Sequence, residues 1–241
     1  MNHTAPINDR LTDSISASAA LTDQTAGPDE SRFPGRLLLR ISWLAVLLGF
    51  AIEGLILLLT GMDRYSGVKP LVASLAQKIS WSVLVCLGLA FGKGATKLLA
   101  VPLTGLAGLL AAPTAFTVAR SLHKAAAEAL KLAPAAATPS PLTLALVKGI
   151  EYGLLGLAVG WIGSRSLSRG RSAAAHLATG LAVGAVFGGT MLLVASSGAP
   201  QPRDTVALLS LGVNEIIHPV GCAMALFAAE ALSQKNVAMT K

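Results

Sequence analysis

Six stretches of this chain are each long and apolar enough to cross a lipid bilayer, and that repetition constrains the fold more than any other feature. A spanning helix needs about 20 mostly apolar residues. The stretches are 37–60, 71–91, 98–118, 143–163, 173–195 and 206–232. The first is nearly pure Leu, Ile, Val and Ala, whereas the second carries Gln77 and Lys78 well inside. In hydrocarbon the backbone must satisfy its own hydrogen bonds, and at these lengths the helix does so. The expected fold is therefore all-α, a polytopic bundle of six transmembrane helices over residues 37–234.

Composition agrees. Charged residues make up 13% of the chain, hydrophobic residues 53%, and the mean hydropathy is +0.65. A soluble domain carries about 25% charged residues. This chain lacks the charge to wet its own surface, which excludes an ordinary soluble enzyme, a disordered protein and a collagen-like repeat. Residues 1–36 differ: they hold Asp9, Asp13, Asp23, Asp29 and Glu30 among Ser, Thr, Ala and Pro. They carry neither the basic-then-apolar order of a signal peptide nor the acid-poor composition of a transit peptide. A disordered cytosolic tail is expected.

The net charge of +7 sits in short loops between apolar runs, with no basic stripe and no interleaved aromatics. It points to topology control and not to nucleic acid. With the N-terminus inside, ten Lys and Arg flank the inner ends against six at the outer ends, and the loop Arg165, Arg169, Arg171 is the clearest signal. Both termini are expected in the cytoplasm, in a cell inner membrane. Between the third and fourth spans, residues 121–131 read as a short interfacial helix or a solvated loop, followed by a Pro-rich linker.

Glycine recurs at every fourth position, as Gly180, Gly184 and Gly188 in the fifth span and Gly149 and Gly153 in the fourth. Such spacing makes a groove where two backbones approach closely, which holds helices together where lipid supplies no hydrophobic drive between them. Packing within the chain is the plain reading; a second copy or a larger membrane complex could use the same grooves. Cys86 and Cys222 lie inside apolar runs and read as small buried hydrophobes.

Ionisable residues inside the spans carry the functional signal, since each costs about 2.5–3.5 kcal/mol at a helix centre. Glu53, Lys78, Glu151 and Glu215 lie seven to nine residues from the outer ends of four different spans. At about 1.5 Å per residue all four fall roughly 10–14 Å deep, near the midplane. Glu53 and Lys78 are expected to pair, as are Lys148 and Glu151 at i,i+3. Glu215 is left without an obvious cation, beside Asn214, His218 and Pro219. Pro219 removes a backbone donor, so a broken helix with carboxylate, imidazole and freed carbonyl is expected there, as in many transporter cation sites. His176, three residues into the fifth span, reads as an interface residue.

Glu215-x-x-His218 is also half of a di-metal carboxylate motif, but no second Glu-x-x-His accompanies it. A single divalent metal held by Glu53, Glu151, Glu215 and His218 is the metal reading; nothing in the sequence requires a cofactor. No nucleophile elbow, Walker loop or His-Glu-x-x-His is present, which argues against an enzyme. A weak repeat relates Ala51-Ile52-Glu53-Gly54-Leu55 to Gly149-Ile150-Glu151-Tyr152-Gly153-Leu154, each in the first helix of a three-helix half. The leading expectation is transport or conduction of a small cation or proton through Glu215, His218, Glu53, Glu151, Lys78 and Asn214. The rivals are a structural or assembly subunit of a larger membrane complex, and a metal-binding membrane enzyme.

Overall fold

The computed structural model describes residues 35–62, 65, 67–94, 99–132, 140–197 and 205–239. The chain divides into Met1–Gly35 and a compact unit, Arg36–Lys241. The tail expected over residues 1–36 and the Pro-rich linker expected after residue 132 lie almost wholly outside the described residues. Six helices make up the fold: α1 (Gly35–Thr60), α2 (Val68–Lys93), α3 (Ala100–Ala129), α4 (Pro141–Gly163), α5 (Arg169–Ser197) and α6 (Thr205–Met239). All six are long and apolar enough to cross a membrane. Large apolar side chains point outward, including Leu58, Leu110, Leu142 and Leu193, as expected of helices whose outer faces meet lipid and not water. The chain is a helical, multi-pass membrane protein.

Local chemistry explains the helix ends and their satisfied polar groups. Pro141 opens α4 at a position where its missing N–H costs nothing. Gly67 precedes α2 with φ 123°, a backbone region that side chains rarely adopt. Hydroxyls inside the spans bond back one turn, as Thr60 to the Ile56 carbonyl at 2.7 Å and Ser210 to the Val206 carbonyl at 2.9 Å.

Two expectations change here. The segment after residue 118 is neither a separate interfacial helix nor a loop: α3 runs unbroken to Ala129. Its Ala-rich sequence is strongly helix-forming, and Lys124 and Glu128 face each other at i,i+4, 3.8 Å apart. Nor does Pro219 break the last span, because α6 is continuous through it. A proline is tolerated in a spanning helix when neighbouring helices support the freed backbone, and α5 lies directly against this stretch.

Glycine sets that closeness. A Cβ on Gly180 would lie 2.5 Å from Val220 Cα, one on Gly184 2.5 Å from the Ile216 carbonyl oxygen, and one on Gly188 3.2 Å from Glu215 Cβ. The α5 groove therefore receives the α6 backbone from Glu215 to Val220, on either side of Pro219. Likewise α3 and α4 meet backbone to backbone. A Cβ on Gly108 would collide with the Tyr152 carbonyl, one on Gly156 with that of Thr104, and one on Gly149 would stand 3.0 Å from the Leu109 carbonyl oxygen. Gly153 rests on Leu109 across the same interface. The glycine stripes are filled from within the chain, and they run antiparallel along each pair.

By contrast, α2 and α6 run parallel. Ser82 meets His218 and Cys86 meets Cys222, each pair separated by 136 residues. Around Cys86 and Cys222 a dry core gathers Val85, Leu89, Ala112, Tyr152, Leu155, Val159 and Leu226. The two thiols are free and lie 3.3 Å apart. His176 also belongs to the interior: its ring is 0% exposed, donates from Nδ1 to the Ser172 carbonyl at 2.8 Å, and packs 5.6 Å from Phe227. His176 thus faces α6, near the start of α5 and the far end of α6.

Gly108→Ala forces apart two backbones in contact and should lower stability by about 1–3 kcal/mol. Gly54→Ala, with nothing within 4 Å of the added methyl, should leave it unchanged or slightly raised. Thermal unfolding of both variants in one detergent checks the contrast.

Candidate functional site

Two lysines and three glutamates lie buried between the helices. Glu53 on α1 and Lys78 on α2 form an ion pair, Oε2 to Nζ 2.5 Å, and the same ammonium donates to Ser74 Oγ at 2.9 Å. On α4, Lys148 Nζ donates to Glu151 Oε2 one turn along, at 2.7 Å. It also donates to Glu215 Oε2 on α6. Glu215 is therefore not without a cation, contrary to the sequence reading. Lys148 was assigned to its own helix alone, but it stands between two carboxylates and binds both. Asn214 donates from Nδ2 to Glu215 Oε1 at 3.2 Å, which uses the second oxygen.

Glu151 is 0% exposed, and its Oε1 has no hydrogen-bond partner among the described residues. In the network as a whole, three carboxyls meet two ammoniums. Breaking such a buried pair by removing one partner leaves an uncompensated charge and is strongly destabilising.

His218 is fixed at both nitrogens. A carbonyl can only accept, so Nδ1 carries the hydrogen it donates to the Asn214 carbonyl at 3.2 Å. Nε2 is then an acceptor and takes the Ser82 hydroxyl at 3.1 Å. The imidazole is 3% exposed and lies edge-on to Trp81, which in turn lies edge-on to Tyr152.

The single-metal reading fails on this arrangement. Among the described residues, no three His, Cys, Asp or Glu side chains gather where they could hold a metal ion. The four proposed ligands Glu53, Glu151, Glu215 and His218 are taken up separately: Glu53 by Lys78, Glu151 and Glu215 by Lys148, and His218 by Ser82 and Asn214. Lysine occupies the place where a divalent cation would have to sit.

A cavity of about 610 Å³ opens on this network. Its wall includes Lys78, Lys148, Glu215, His218, Asn214 and Gln77, with Ser74, Ser210, Tyr65 and His123 and the apolar groups Ile56, Trp81, Phe116 and Leu211. Those residues come from the ends at which α1 and α3 finish and α2, α4 and α6 begin. His123, on the extension of α3, donates from Nδ1 to the Ala73 carbonyl at 3.2 Å and so closes α3 onto α2 beside the cavity. Beyond Trp81 and His218 the polar lining stops and the dry core begins.

The sequence reading missed Gln77, Ser74, Ser210, Tyr65 and His123 as cavity residues, and Ser82 as the partner of His218. A signal for three of these, Ser74, Ser82 and Ser210, was available. Ser74, Lys78, Ser82 and Cys86 recur every four residues on α2, and Ser210, Asn214, His218 and Cys222 do the same on α6. Two stripes of equal spacing and equal polarity are what two parallel helices need to face one another.

Lys148→Met should cost about 3–5 kcal/mol by stranding Glu151 and Glu215. The triple change Lys148→Met, Glu151→Gln, Glu215→Gln should recover most of that loss, and chemical unfolding of the purified variants measures both. No protein-family model matches the sequence, and neither the curated proteins nor the solved structures compared with it yield a match.

Proposed function

We propose that this membrane protein moves a small monovalent cation, a proton foremost, through the Glu151–Lys148–Glu215 triad. One observation carries the reading: the triad holds one carboxyl more than its ammonium can balance, and it borders a cavity that ends there. A fully charged triad has a net charge of −1, which a low-polarity interior opposes. One added proton makes the group neutral. Glu151 Oε1, buried and without a partner, is the oxygen best placed to receive it, and Glu215, in the cavity wall, is the carboxylate through which it arrives. Lys148 binds both carboxylates and holds them in one hydrogen-bonded chain.

His218, Asn214 and the Glu53–Lys78 pair have positioning roles in this scheme. Asn214 orients Glu215, His218 ties α6 to α2 through Ser82, and Lys78 is the second cation of the cavity wall. The excess of Lys and Arg at the opposite helix ends supports an orientation with the cavity on the outer side of the membrane and both termini inside. The glycine grooves, filled by helices of the same chain, give little support to the alternative of an assembly subunit.

Reconstitution into liposomes with an internal pH-sensitive dye tests the reading. Glu215→Gln should reduce proton flux by at least about tenfold, the size of effect expected when a required ionisable group is removed. Asn214→Ala, which leaves the carboxylate in place, should reduce it less. Flux in Glu215→Gln equal to that of the parent protein would discard the proposal.

A further inference from the structure

A proton needs almost no room, yet the cavity beside the triad measures about 610 Å³. That is the size of a site for a small organic molecule. The charges of its wall are unevenly placed. Lys78 and Lys148 both line it, but of the three glutamates only Glu215 does; Glu53 and Glu151, each paired with one of these lysines, are outside the lining. A solute in the cavity therefore faces two ammoniums and one carboxylate. Amide and hydroxyl groups of Gln77, Asn214 and Ser74 stand beside the lysines, while Ile56, Trp81 and Phe116 supply an apolar side.

We propose that this cavity binds a small organic monocarboxylate with an apolar body, its carboxylate held by Lys78 and Lys148 and its hydrocarbon laid against Trp81 and Phe116. Charge-assisted hydrogen bonds to ammonium groups are the strong contacts available there. In the wall itself an organic cation would meet two ammoniums against the single carboxylate of Glu215. An inorganic anion would leave the aromatic wall unused. Resting on the proton site proposed above, the inference also names what the proton is for. A proton on the triad removes one negative charge beside the cavity wall, so a carboxylate binds better to the protonated protein, and by linkage the proton binds better when the carboxylate is present.

Trp81 reports on the site directly. Trp43 and Trp161 are more than half exposed on the outer faces of the bundle, so a Trp43→Phe, Trp161→Phe background leaves Trp81 as the single tryptophan of three. Phenylacetate should change Trp81 emission saturably in the reconstituted full-length protein, and phenethylammonium, matched in body and opposite in charge, should not. The paired change Lys78→Met, Glu53→Gln removes a neutral unit and keeps the buried charge balance. It should weaken phenylacetate binding about tenfold or more. Glu215→Gln, which removes the one carboxylate charge of the wall, should tighten it severalfold. Preference for phenethylammonium, no saturable response to phenylacetate, or unchanged binding in the Lys78→Met, Glu53→Gln protein would each overturn the proposal. Absent phenylacetate binding with intact Glu215-dependent proton flux removes the carboxylate alone. Phenylacetate binding with flux indifferent to Glu215 removes the proton reading alone.

Discussion

A full charge placed between helices in lipid must find its opposite, and this requirement organises the upper half of the bundle. Desolvation costs several kcal/mol per ion, so the ammoniums of Lys78 and Lys148 fix where carboxylates can stand. Lys78 draws α1 to α2 through Glu53. Lys148 draws α4 to α6 through Glu215 while holding Glu151 on its own helix. Four of the six helices are thus tied at one level by two side chains. The remaining polar groups follow from that level: Asn214 completes Glu215, and Ser82 and the Asn214 carbonyl complete His218.

Away from that level a different force holds the helices. Between α3 and α4, and between α5 and α6, glycine lets backbones touch and dispersion replaces charge. The two regimes are complementary in space. Close backbone contact excludes solvent and leaves no room for a cavity, whereas lysine and glutamate side chains hold helices further apart and create one. That difference accounts for a cavity of about 610 Å³ ending where the core of Val85, Leu89, Leu155 and Val159 begins. At the far end of the same helices a further pair, Lys93 with Glu230 at 2.5 Å, again joins α2 to α6.

Much of this was legible in the sequence, and the reasons differ by feature. Span length and hydropathy are properties of single helices, so all six spans could be located to within a few residues at most ends. Depth along a helix is also local, which is why Glu53, Lys78, Glu151 and Glu215 could be put at one level. The Glu53–Lys78 and Lys148–Glu151 pairs were accessible because a short loop or one helical turn joins their members. The Lys148–Glu215 contact was not, since it depends on which non-neighbouring helices adjoin, and hydropathy carries no such information. Pro219 misled for a related reason: a proline's effect on its helix depends on what supports the freed backbone, and here that support is the α5 glycine groove. The continuation of α3 past residue 118 was hidden because an apolar window ends where the lipid-compatible sequence ends, whereas a helix ends only where its hydrogen bonding does.

The parallel seam between α2 and α6 has a mechanical consequence. Ser82 faces His218 and Cys86 faces Cys222, and Ser74, Lys78, Ser210 and Asn214 continue the same spacing along the cavity wall. Moving α6 along α2 by four residues, roughly 6 Å, would set Ser82 against Cys222 and Lys78 against His218, so polar groups would again oppose polar groups. A shift of half that distance would set Lys78 against Ile216 and Ser82 against Val220. The two helices are therefore keyed to one another turn by turn, and the seam opposes any slip that is not a whole turn.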